Sequence, residues 1–253
     1  MTGLVWAELR RFGVRPAIRW IAAGMLAHVV LAVVLTTFEA DTSTLAAMLG
    51  ESRLSFYAMT SVFLAYVAGV LLVTGDAASG GTRALLTVEP RRGRVYWSKV
   101  AAAALAVLPG VAAAYALLAV GTYAVQARAG ALGGPPADLA LALTWSGVRV
   151  LALAACAAAG GAALGVLVRR WWVAVPLVVA WVLVEETVLS AAARGREWFP
   201  VANADGWVRG APDALSGDGL LAVPLVHGPL LLLGVTAVLT VLGWVTFRHR
   251  DVP

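Results

Sequence analysis

The chain is poor in almost everything a soluble catalyst draws on. Charged residues occupy 13% of its 253 positions, about half the share of a soluble domain, which excludes a water-facing shell over the whole surface. A single cysteine, Cys156, sits inside an apolar run, so no disulfide framework can form within one chain. The histidines, His28, His227 and His249, stand far apart, with no His-Glu-x-x-His pattern and no cysteine cluster; no metal site is expected. A Gly-x-Ser-x-Gly elbow is missing, which leaves a serine hydrolase little support. There is one lysine, Lys99, and Tyr-Trp-Ser precedes it. A phosphate-cradling loop needs a glycine-rich turn leading to a lysine, so this polypeptide is not expected to hydrolyse ATP alone, and Ser79-Gly80-Gly81 reads as a helix break. No repeat of fixed period is visible, which supports neither a solenoid nor a duplicated transporter.

What the chain has is apolar length: 61% of its residues are hydrophobic. Crossing about 30 Å of hydrocarbon takes about 20 apolar residues, and such windows fall at 20–38, 56–75, 100–125, 139–168, 172–190 and 221–245. The expected fold class is therefore an all-α integral membrane protein, one domain over 1–253, with six transmembrane helices and both termini on one side. Of the 19 basic residues, Arg10, Arg11, Arg15, Arg19, Arg83, Arg91, Arg92, Arg94, Lys99, Arg169, Arg170, Arg248 and Arg250 fall on that side. Only Arg53, Arg128, Arg194, Arg196 and Arg209 fall on the other. The positive-inside rule makes the first side cytoplasmic. The net charge of +5 is thus a matter of topology, and no nucleic-acid partner is expected. Arginines before the first apolar run imitate a signal peptide, but no Ala-x-Ala site follows Phe38, so the run is read as a retained span. Glu8 and the apolar surroundings weigh against a mitochondrial address.

Ahead of that span, 4–16 reads as an amphipathic helix in the inner interface. Val5, Leu9 and Phe12 fall on one face, Glu8, Arg11 and Arg15 on another, and Trp6 and Arg10 suit the headgroup level; Pro16 marks a break. The alternative reading of the basic flank is snorkelling arginine with no partner. Alanine and glycine crowd spans three and four. Small residues let helices pack closely in lipid, although a GC-rich genome inflates alanine as well. Pro109 and Pro176 are expected to kink or loosen their helices. On the outside, 191–219 holds Trp198, Phe199, Pro200 and Trp207 among charges and suggests a small cap of short helices.

Three ionisable residues fall inside spans: Arg149, Glu185 and Glu186. Charge at depth marks a pathway, a relay or an ion pair. Counting rise per residue, the depths of Arg149 and Glu185 differ by only about 4 to 6 Å. A pair between Arg149 and Glu185 or Glu186 is expected, acting as a clamp, a gate or substrate contact, or a proton relay.

Segment 76–99 is the one polar, strongly basic interruption between long apolar runs. Its 24 residues far exceed what a reversal of direction needs. Thr82 is placed to cap a short helix, Leu85 and Leu86 to form an apolar knob, and Pro90 to end it. Such a knob fits a groove in a partner, and the arginines around it can also hold anionic headgroups. Gly81-Thr82-Arg83-Ala84-Leu85-Leu86, then Glu89-Pro90-Arg91-Arg92-Gly93-Arg94 and Lys99, resembles the inner loop of type-2 ATP-binding-cassette (ABC) exporter permeases. The basic N-terminus, the six spans, Phe199-Pro200-x-Ala202-Asn203 and the closing Phe247-Arg248-His249-Arg250-Asp251 extend the resemblance in layout. Where such permeases often carry an acidic cluster before Gly-Thr, this chain has Asp76 alone.

The resemblance implies a dimer of permeases, identical or not, in a bacterial plasma membrane, each docking a cytosolic ABC ATPase subunit through Gly81, Thr82, Arg83, Leu85, Leu86, Pro90 and Arg92. ATP and magnesium would sit on that subunit, and this chain would carry no cofactor and no catalytic residue. Apolar walls suggest an amphipathic or lipid-like cargo moved outward. Rival readings are a membrane-embedded enzyme or a non-transporting immunity protein using Glu185 and Glu186, or an ion-coupled secondary transporter.

Overall fold

A computed structural model describes residues 2–39, 43–50, 52–191, 198–210 and 226–249, and no strand occurs among them. The helices in chain order are α1 (Thr2–Val14), α2 (Pro16–Glu39), α3 (Leu45–Gly50), α4 (Ser52–Ala78), α5 (Gly81–Val88), α6 (Arg92–Arg128), α7 (Pro136–Val168), α8 (Trp171–Ala191), α9 (Pro200–Arg209) and α10 (His227–His249). Five of them are long and apolar enough to cross a membrane, over Pro16–Phe38, Arg53–Ala78, Arg92–Arg128, Pro136–Val168 and His227–His249. This fits a multi-pass membrane protein. The fifth expected span, 172–190, is also helical, with a shorter described apolar stretch, Trp171–Glu185; residues 221–225 of the last expected span lie outside the described ones. Pro16 separates α1 from α2 by occupying the first position of α2, where its missing N–H costs nothing. Pro109 and Pro176 stand inside continuous α6 and α8.

α7 is the central helix, packed against α4, α6 and α10. Its small residues are what bring it so close to α4. Ala158, Ala159, Gly160, Gly161, Ala162, Ala163 and Gly165 are all buried. A Cβ on Gly69 of α4 would meet the backbone of Ala158, and one on Gly161 the backbone of Tyr66, each nearer than the 3.0 Å that real Cβ atoms keep. The alanine and glycine content therefore makes a seam within the bundle, whatever the base composition behind it. By contrast α2 and α10 turn Leu26, Val30, Val34, Leu230, Val238 and Val241 outward, as helices facing hydrocarbon do.

At one end of the bundle Tyr96 of α6 locks α10: its hydroxyl donates to the Thr240 carbonyl at 2.6 Å, and the ring lies against Trp244 and Phe247. A Cβ on Gly243 would stand 2.6 Å from that hydroxyl oxygen, so glycine is needed for the approach. Tyr96→Phe is expected to lower stability by about 1 kcal/mol, the net worth of one hydrogen bond, read as a small fall in the thermal unfolding midpoint. The same end holds α1, α5 and the end of α10, where Arg92 Nη1 donates to the Arg248 carbonyl at 3.1 Å.

The opposite end is closed by α3 and α9. Leu45 and Ala46 N–H groups donate to the Ala131 and Leu132 carbonyls at 2.9 and 3.1 Å. α9 forms where the outer cap was expected, but it packs into the bundle: Asn203, Ala204 and Val208 are buried, against α10, α4 and α7. Asp205 ties it down, bonded to Ser55 of α4 and to Arg209. Residues 192–197 and 211–219 of the expected cap lie outside the described ones.

Candidate functional site

Segment 76–99 is mostly helix. α4 continues through Asp76 to Ala78, a turn at Ser79 and Gly80 follows, α5 occupies Gly81–Val88, and α6 begins at Arg92. The turn works because Gly80 adopts φ 70°, left-handed backbone that glycine takes without strain. Gly80 is therefore the residue that caps α5, with no side-chain bond; Thr82, expected as the cap, lies two positions further in and is buried. Pro90 follows the helix end as expected, since proline cannot donate into a continuing helix. Across it Glu89 pairs with Arg94 at 3.0 Å.

The expected knob is corrected in orientation. Leu85 and Leu86 are half-buried and pack against the core, because an isolated two-turn helix is stable only if its apolar face is covered by its own chain. Ala84, Thr87 and Val88 face outward, with Val88 83% exposed. They fall at i, i+3 and i+4 and form one stripe, continued by exposed Pro90 and Arg91. Gly81 is buried, beside the guanidinium of Arg11. Arg92 is half-buried toward α10, and the side chain of Arg83 lies outside the described ones.

One turn before α5 stands a cluster of four charges. Lys99 Nζ donates to Glu8 Oε1 at 2.9 Å and to Asp76 Oδ2. The other oxygen of Asp76 accepts from Arg15, whose Nη1 also donates to the Leu72 carbonyl at 2.8 Å and the Leu71 carbonyl at 3.3 Å. Gly75 leaves room for that guanidinium: a Cβ there would stand 3.1 Å from Nη1. Glu8, Asp76 and Lys99 are 2%, 1% and 2% exposed, so the cluster joins α1, α4 and α6 through three buried charges, with Arg15 partly exposed at its edge. Two acids and two bases balance it. Removing one member would strand its partner in low dielectric, at about 3–5 kcal/mol.

This cluster was missed by sequence reasoning. Glu8 was assigned to a polar face of the N-terminal helix away from Phe12, but the two share the buried face. The apparent polar face is polar only residue by residue; pairing makes Glu8 an inward group. Lys99, expected to open a span, lies about 10 Å inside α6 at 1.5 Å per residue. One signal was available: the chain uses arginine throughout and lysine once. A compact ammonium can serve two carboxylates from different helices at one point, which a planar fork does poorly. Trp6 and Arg10 do face outward, stacked with 5.5 Å between guanidinium carbon and ring centre.

The pair expected between Arg149 and Glu185 is not the one formed. Glu185 Oε1 accepts the N–H groups of Val201 and Ala202 at 2.6 and 3.1 Å, and Oε2 accepts the Trp181 indole N–H at 3.0 Å. A carboxylate is thus placed on the open N–H groups that begin α9, where helix and charge favour each other. Arg149 lies at the other end of α9, where a Cβ on Gly210 would collide with its guanidinium. The two charges bracket one helix. Matching depths brought them to one level but said nothing of the helix folded between them. The Glu186 side chain lies outside the described ones.

Among the described residues no group of three His, Cys, Asp or Glu is arranged to hold a metal. Compared with family models and with curated proteins, the chain finds no match in either.

Proposed function

We propose that this chain is the transmembrane permease subunit of an ABC exporter, with α5 as the helix that docks a separate ATPase. The observation that carries it is α5 itself. The segment that resembles a permease inner loop folds as a discrete helix between two long apolar helices, rooted by Leu85 and Leu86 and presenting Ala84, Thr87 and Val88. A connection that served only to reverse the chain would not need a braced helix with an apolar outward stripe. α6, at 37 residues, is about 55 Å long, well beyond a hydrocarbon core of about 30 Å, which suits α5 standing clear of the bilayer. The chain would pair with a second permease protomer in a bacterial plasma membrane, with α8 as a sixth span and both termini cytoplasmic. Apolar helix faces suit an amphipathic or lipid-like cargo moved outward, with ATP and magnesium on the partner.

An embedded enzyme using Glu185 has less to draw on, since both carboxylate oxygens are engaged by donors of the chain itself.

Affinity purification of the chain from its native membrane tests the proposal. A stoichiometric complex with ATPase activity is expected, and Val88→Asp should reduce recovery of the ATPase by roughly tenfold or more, the cost of one charge in an apolar contact. The isolated variant should unfold at the wild-type temperature, because Val88 is 83% exposed. A chain that binds no ATPase overturns the proposal.

A further inference from the structure

α5 hangs between two short turns, one of them at a glycine with φ 70°, and nothing in α5 alone makes that joint stiff. We infer that Lys99 is a positioning residue for α5: by holding Asp76 and Glu8 together it joins the end of α4, α1 and the start of α6 into one body, so that force taken at α5 reaches the long helices. The inference deepens the docking proposal and rests on it for the source of the force.

Asp76 stands four residues before Gly80, at the last turn of α4 that can be anchored ahead of the hinge. It is gripped from two directions, by Lys99 of α6 and by Arg15 at the junction of α1 and α2. Arg15 also holds two carbonyls of the same turn, which keeps the end of α4 from unwinding. Glu8 brings α1 to the same ammonium, and Arg11, one turn along α1, lies beside Gly81 at the start of α5. The helices α4 and α6 that pack on α5, and α1 whose Arg11 lies at its start, therefore meet at Lys99. Were these charges only topological, they would lie in the headgroup layer with their ends in water. Glu8, Asp76 and Lys99 are instead withdrawn from it, at the cost of desolvating three charges, and that cost gains a fixed geometry at a joint the backbone leaves loose.

Hydrogen exchange on the full chain in lipid nanodiscs tests this, with Glu8→Leu/Lys99→Met as the principal variant. It removes the link between α1 and α6, leaves Arg15 on Asp76, and replaces a buried pair by apolar groups that such sites tolerate. Amides of Gly81–Val88 are expected to exchange roughly tenfold faster, local opening made easier, while α4 and α7 keep their protection. Lys99→Arg, which keeps the charge but whose planar fork serves the two carboxylates poorly, should restore only part of the protection. In the ATPase-bound complex the double variant should retain ATP hydrolysis and lose transport, a split that a merely structural role would not produce. Unchanged exchange in α5, or equal loosening of every helix, overturns the inference, as does loss of hydrolysis and transport together. Should α5 loosen as expected while the wild-type chain binds no ATPase, the tie through Lys99 stands and the docking proposal falls.

Discussion

Gly69→Ala is expected to leave little folded protein, although it adds one methyl group. The new Cβ would lie within bonding-shell distance of the Ala158 carbonyl, a backbone atom of the most buried helix in the bundle. A side chain in that position would swing aside; a helical carbonyl cannot. Relief requires α4 and α7 to separate, and Gly161 and Gly165 hold the same seam closed one and two turns away, against the Tyr66 and Val70 carbonyls. Overpacking in a core typically costs 1–3 kcal/mol, and with no soft neighbour the cost here should be about 3 kcal/mol or more. Gly110→Ala is the matched control, since a Cβ there meets nothing within 4 Å. In mid-helix that change should gain up to about 1 kcal/mol. Thermal unfolding of both variants in detergent measures the difference, and a Gly69→Ala protein that melts with the wild type would show that the seam is looser than its geometry.

Glu185→Leu should be nearly as damaging, at about 3 kcal/mol, because three part-buried donors lose their acceptor at once. The N–H groups of Val201 and Ala202 and the indole of Trp181 have Glu185 as their partner. Glu185→Gln should cost less: its carbonyl oxygen can still receive the start of α9, but its amide NH2 would face the Trp181 donor. Arg149 provides the decisive comparison. If Arg149 and Glu185 were a pair, either single change would cost about the same and the double variant little more; with α9 between them, the two effects should add. Additivity in a double-mutant cycle supports the arrangement described here, and a coupling above about 1 kcal/mol would restore the direct pair.

These cases divide what is local from what is not. The apolar windows, the break at Pro16, the turn at Ser79 and Gly80 and the stop at Pro90 were all legible, because each depends on chain length through hydrocarbon or on backbone chemistry within a few residues. The packing use of alanine and glycine was legible as a possibility and became definite only when Gly69 and Gly161 were seen against opposing backbones. Charge partners were not legible. Glu8 looked like a solvated face, Asp76 like the start of a loop, Lys99 like the head of a span, and Glu185 like the mate of Arg149.

The residue types around 76–99 were sufficient to mark a short helix between two apolar ones, and apolar length was sufficient for a bundle. Which side of α5 faces out, and which four charges meet beneath it, only the tertiary structure decided. The physical reason is that helix rotation and neighbour choice are settled by packing over the whole bundle. A buried charge accepts whichever donor that packing brings within about 3 Å, however far away it stands in the chain.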